Sequence, residues 1–331
     1  MTEKENCLKV LNHEIPEWLP LQNDAFVDVG QWAENERGMR GERITDIISR
    51  DPFGCLWTTH AGAPMPAVEF SPVLPDIEHW EKYIEIPDVS RWEWDTMARW
   101  ELQNNDGTKL IRYFSGTGLF DRLTALMGFE QGLAALAENP EACSDLFSAL
   151  ADYKIQIIEH VAKTYHPDVF MYTDDFAHAH GLFMSPECYR KVIKPHHARI
   201  LKAIRDNGMY AEQHTCGLCE SVVPDFVEMG AQIWYPAHAI NDVESIMRKY
   251  GDKLVICGGY HSQAKCNRPD ATRADMVAEA RRLVYTYAKY GGFIVGNTNS
   301  IFNLQNREYL LEELRRLGKD FYKDQDNLYN E

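Results

Sequence analysis

The chain has 331 residues, of which 45% are hydrophobic and 25% charged, a balance that suits a globular protein with a sizeable core. Its net charge of −16 comes without any basic cluster, which argues against nucleic acid or an anionic membrane surface as partner. No apolar run reaches the roughly 20 residues of a membrane span. The charged start Met1–Asn6 lacks the apolar stretch of a secretory signal, and the eight cysteines are scattered like reduced thiols, so a cytoplasmic setting is expected.

Residues 5–15 read as a short helix ended by Pro16, ahead of the apolar Trp18–Leu21. From about 51 to 90 the chain is rich in proline and aromatics, including Pro52, Trp57, Pro64, Pro66, Pro72, Pro75 and Trp80, which favours irregular segments and short strands. Residues up to about 100 are therefore expected to form an N-terminal extension packed on the main body, within one domain spanning 1–331.

Beyond about residue 110, short apolar runs alternate with helical periodicity. Strands are predicted at 110–114, 169–173, 209–214, 232–235, 254–257 and 292–295. Helices are predicted near 140–164, 186–207, 219–229, 242–250, 270–290 and 307–321, with start signals at Ser185-Pro186 and Asn241-Asp242. Such alternation implies parallel strands joined by right-handed crossovers, and the number of units favours a (β/α)8 barrel of the TIM type.

The predicted strands carry their unusual polar residues at their C-terminal ends: Tyr172-Thr-Asp-Asp175, His214-Thr-Cys216, Tyr235 with His238, Cys257 to His261, and Asn297-Thr-Asn299. A closed barrel would gather these at one mouth, where barrels of this type place their chemistry. Residues two apart on a strand share a face, so His214 and Cys216 project together, and imidazole with thiolate suits zinc. A buried cysteine beside a hydrogen-bonded histidine has the same spacing, and Cys216 with Cys219 also reads as a redox pair. Trp57, Tyr172, Trp234 and Tyr260 are candidates to stack on an aromatic ring, or are ordinary core packing. Asp174 and Asp175 would orient a ligand histidine or bind substrate, or one of them caps the next turn. His261 and His180 are candidate proton donors.

Taken in order, Glu5-Asn-Cys-Leu-Lys-Val-Leu11, Pro16-Glu-Trp-Leu-Pro20, Asp51-Pro-Phe-Gly54 with Trp57, Pro87-Asp88, Asp174-Asp175, Met184-Ser-Pro-Glu187, Pro195, His214-Thr-Cys-Gly217 and Gly258-Gly259 make a nearly full-length pattern. In this pattern the chain resembles the uroporphyrinogen decarboxylase superfamily, specifically its methyltransferase branch that works with corrinoid proteins. The resemblance implies a distorted TIM barrel with zinc held at the C-terminal mouth by His214 and Cys216. Branch members that methylate thiols add a cysteine after the last strand; this chain has Asn299 there, which would bind a substrate oxygen instead. The third ligand is then expected at Cys257, with Cys219 and Glu212 as alternatives.

The resemblance further implies methyl transfer from a methoxylated aromatic to cob(I)alamin on a separate corrinoid protein; among the strand-end residues, Asp174 and His261 are the catalytic candidates for it. No Asp-x-His-x-x-Gly carrier signature occurs in the chain itself. A uroporphyrinogen-type decarboxylase is the first alternative, although Gly38-Met-Arg-Gly-Glu-Arg43 is not the arginine-rich signature of those enzymes. A methylcobalamin:thiol methyltransferase is the second.

Overall fold

The computed structural model describes residues 1–30, 42–59, 67–68, 72–261, 265–301, 303–324 and 328. In chain order the strands are β1 (Phe26–Val29), β2 (Glu42–Arg43), β3 (Ile48–Arg50), β4 (Leu56–Thr58), β5 (Ala67–Val68), β6 (Leu110–Ser115), β7 (Val169–Thr173), β8 (Ala177–His178), β9 (Gly181–Leu182), β10 (Tyr210–His214), β11 (Ile233–Ala237), β12 (Val255–Gly259) and β13 (Phe293–Gly296). Among the described residues, seven of them form one curled sheet in the order β1-β6-β7-β10-β11-β12-β13. Every pairing in it is parallel. The two edges are tied through the N-terminal segment. Leu21 bridges Val295 in parallel, and the Val295 N–H donates to the Pro20 carbonyl at 3.0 Å, just before the chain enters β1. The result is the distorted TIM-type barrel expected, with seven strands in its sheet among the described residues.

Side chains alternate between two cores, as the period of a strand requires. Leu110, Val169, Met171, Ile233, Val255, Cys257 and Ile294 fill the interior, joined by Cys7, Val10 and Leu11 of helix Glu3–Leu11. That helix plugs the end where the strands begin: the Lys4 N–H donates to Thr108 and the Lys4 ammonium pairs with Asp168 at 2.8 Å. The outer faces, including Tyr172, Trp234, Ile256 and Phe293, pack under the helices. Strands covered on both sides must be apolar throughout, which is why all five residues of β7 are buried.

Helix Pro140–Thr164 has the predicted bounds and begins with proline at its first position. The predicted 186–207 helix is interrupted: Pro186–Cys188 and Lys194–Asp206 flank a π-helical turn, Tyr189–Ile193, just ahead of Pro195, which has no N–H to offer a helix. Helices Leu119–Met127 and Phe129–Glu138, split by Gly128, were not among the predicted elements, nor was β1. The proline-rich segment supplies β4 and β5 to a small antiparallel sheet, β2–β5, that begins just ahead of it. Its anchor is Asp51, which accepts from the N–H groups of Phe53 and Cys55 and the Trp57 indole, each at 2.9 Å, and pairs with buried Arg122. No helix among the described residues is long and apolar enough to cross a membrane.

Candidate metal centre

β10 lies between β7 and β11, with His214 in register with Thr173 and Tyr235. Tyr210 and Glu212 share its inward face, while Ala211 and Gln213 face the helices. Beyond His214 the chain turns sharply, held by its neighbours on both sides. The Thr215 N–H donates to the Tyr235 carbonyl at 3.1 Å, the Thr215 hydroxyl to the Asp174 carbonyl at 2.9 Å, and the Cys216 N–H to Asp175 Oδ1 at 2.8 Å. This turn brings three side chains together. Cys216 Sγ is 3.6 Å from His214 Nε2, and His214 Nε2 is 3.8 Å from Asp175 Oδ1. The three donor atoms lie within 4.8 Å of one another, and all three residues are only partly buried. One imidazole nitrogen, one thiol sulfur and one carboxylate oxygen form a set whose chemistry fits zinc.

Burial pushes the Cys216 thiol well up, and the neighbouring Asp175 carboxylate adds to that through its charge and a hydrogen bond. A divalent cation among the three donors would reverse that balance, offsetting the carboxylate and drawing the proton from sulfur.

Beneath the turn, Tyr235 meets the His214 ring edge-on at 5.1 Å, and the Arg112 guanidinium lies 5.2 Å from the Tyr235 ring centre. Arg112 is 1% exposed and binds Asp28 through Nε (2.7 Å) and Nη2 (3.1 Å) and Glu212 Oε1 through Nη1 (3.1 Å). Burial lifts the Glu212 carboxyl to about 7 against the pull of Arg112. Glu212 is fully buried with Oε1 on Arg112, and it is not among the three grouped donors.

The remaining predicted site residues are dispersed, and strand parity explains most of it. Cys257 points into the interior cluster, where burial and Glu212 push its thiol far up; it does not join His214 and Cys216, and Asp175 takes that place. Asp174, one residue away and on the opposite face, accepts from the N–H groups of Phe120 (3.1 Å) and Asp121 (3.0 Å) and pairs with His197 at 2.8 Å. Asp174 thereby holds the first turn of helix Leu119–Met127, a helix earlier in the chain and not the next turn that the capping alternative named. Tyr172 and Trp234 belong to the outer layer, the first accepting from the Leu119 N–H and the second packed on Phe226. Trp57 is core packing tied to Asp51, and Tyr260 is buried after β12. His261 is half-buried, with its main-chain N–H on Glu279 Oε1 at 3.2 Å; His180 is exposed on the hairpin β8–β9. The Asn299 side chain lies outside the described residues.

Sequence reasoning named His238 only as a strand-end residue. It follows β11, and burial lowers its pKa while the Asp175 charge opposes that and His261 reinforces it, so His238 sits electrostatically between the two. A sharper reading of the strand-end pattern would have singled it out beside His214.

The uroporphyrinogen decarboxylase (URO-D) family model matches residues 95–302. Among solved structures, a methyltransferase from Methanosarcina mazei superposes with a TM-score of 0.70 at 14% sequence identity, covering 96% of this chain and 99% of that one. At such identity the likeness is one of fold. No curated protein sequence matches this chain.

Proposed function

The chain belongs to the uroporphyrinogen decarboxylase family, and on that premise we propose that it is a zinc-dependent methyltransferase of the corrinoid-linked branch. Its methyl donor is a methoxylated aromatic, and its acceptor is cob(I)alamin carried by a separate corrinoid protein. The observation that carries this reading is the meeting of Asp175, His214 and Cys216 at the C-terminal end of β10, the face on which barrels of this type work. The methyltransferase of like fold adds support.

His214, Cys216 and Asp175 hold the metal in this reading. Zinc there supplies Lewis acidity toward the ether oxygen, whose release as a phenolate (parent acid pKa about 10) is the difficult part of the transfer. The protein's own contribution is placement. The Cys216 N–H on Asp175 aims that carboxylate, and the Tyr235 ring limits the rotation of the His214 imidazole. Buried Arg112 joins exposed Asp28 to buried Glu212 on the inner side of the barrel wall. His238, which feels the charges of both Asp175 and His261, and His261 itself are the imidazoles that would offer a ring N–H to an oxygen leaving group.

The test pairs metal analysis with a His214→Ala/Cys216→Ala double variant. About one zinc per chain, lost in the variant together with methylation of cob(I)alamin by a methoxybenzoate, is the expected result. Wild-type protein that stays metal-free when zinc is offered would remove the proposal and favour decarboxylation.

A further inference from the structure

We propose that Asn241 is the positioning residue of the metal-holding turn, a role that rests on the zinc reading above. Asn241 is 4% exposed and lies in the loop after β11, outside the donor set. Its side chain reaches back to the turn that follows β10. Nδ2 donates to the carbonyls of Gly217 (3.0 Å) and His238 (2.9 Å), and Oδ1 accepts from the N–H groups of Cys219 (2.8 Å) and Glu220 (3.1 Å). Those four bonds exhaust what an asparagine side chain can make.

Capping of the helix that follows Asn241 does not explain these contacts; Oδ1 instead meets the start of the 3-10 turn Glu220–Val222 on the far side of the cysteine turn. Helix Val243–Tyr250 begins just beyond, but Asp242 is its cap, accepting from the Ser245 N–H at 3.1 Å. Asn241 is left to join three backbone stretches: residue 217, residues 219–220, and residue 238. The opposite side of the turn is clamped as well. The Leu218 N–H donates to the His178 carbonyl at 2.8 Å, and Gly217, at φ +96°, lies so close that an added Cβ would sit 2.7 Å from the His178 nitrogen. The turn carrying Cys216 is therefore gripped between the hairpin after β7, the strand that leads to Asp175, and the loop after β11 that carries His238. It is ordered before any metal arrives, so binding need not meet the cost of ordering it.

No other residue type reproduces the latch. Aspartate keeps both acceptor bonds but turns a negative oxygen toward the Gly217 and His238 carbonyls, and alanine loses all four bonds.

The experiment uses the full chain with Co2+ as the metal probe. Wild type, Asn241→Ala, Asn241→Asp and Ile246→Ala are each melted metal-free, then titrated while the thiolate–cobalt and d–d absorption bands are followed. Ile246, buried in the helix behind the loop, serves as a purely structural control. Asn241→Ala is expected to weaken Co2+ binding about 10- to 100-fold and alter the band pattern, Asn241→Asp to lose affinity by less, and Ile246→Ala to melt early yet keep wild-type affinity. If Asn241→Ala does not fold, the aspartate variant decides. Wild-type affinity and bands in the folded Asn241 variants overturn this proposal and leave the zinc reading standing. Wild-type protein that takes up no Co2+ removes both.

Discussion

Gly217 is the position where the backbone itself limits the candidate site, so Gly217→Ala is the most exacting single perturbation. The residue sits at φ +96°, and an ideal Cβ there would lie 2.7 Å from the His178 nitrogen and 2.8 Å from both the Ala177 carbonyl carbon and the His178 oxygen. All three are main-chain atoms of the hairpin β8–β9, which is tied down by the Phe183 N–H on the Phe176 carbonyl at 3.0 Å. No flexible side chain can yield. A non-glycine residue at positive φ costs about 1–2 kcal/mol, and forcing packed backbone apart adds roughly 1–3 kcal/mol. The sum, about 2–5 kcal/mol, corresponds in a chain of 331 residues to a melting temperature lower by about 3–7 °C. Because the hairpin and the Cys216 turn must separate, zinc affinity should also fall by about tenfold or more. Thermal unfolding of the metal-free protein and zinc competition against a chelator measure the two effects. A variant with wild-type melting and wild-type affinity would refute the close-contact argument.

Cys257→Ala should retain its zinc and lose about 1–3 kcal/mol of stability from the small cavity it leaves; a metal-free variant would restore Cys257 as a ligand. Glu212 has a folded pKa of about 7 against an ordinary 4.5, so between those values the folded chain binds a proton that the unfolded chain has released. Its contribution to stability is thus full below pH 4.5 and is lost as the pH rises through 7. Glu212→Gln should flatten the stability profile over that window and gain at its alkaline end in denaturant melts at several pH values. An unchanged slope would show that Glu212 is already ionised in the folded protein.

Local signals made much of the barrel legible. β7 and helix Pro140–Thr164 have the bounds read from the sequence, since a continuous apolar run and a proline at a helix start act over a few residues. β1 was not legible. Phe26–Val29 is four residues long and carries Asp28, and what places that charge in the wall is Arg112, 84 positions away. Helices Leu119–Met127 and Phe129–Glu138 were not legible either: they are short, and neither has a side-chain cap at its start.

The candidate site divides the same way. The chain order alone places His214 and Cys216 two apart at a strand end, and the same reading sets polar residues at the ends of the neighbouring strands. It determines that much because strand period and strand-end location are local properties. Face is not local in a strand buried on both sides, where the hydrophobic pattern no longer alternates. Only the closed barrel decides that Tyr172, Asp174 and Trp234 look outward to the helices while Asp175 turns toward His214. The tertiary structure likewise separates Cys257 from Cys216, by directing one thiol into the interior and holding the other on the turn above it. A donor set is a matter of distances of a few ångströms between chain segments far apart in sequence, and those distances exist only once the strands have taken their register.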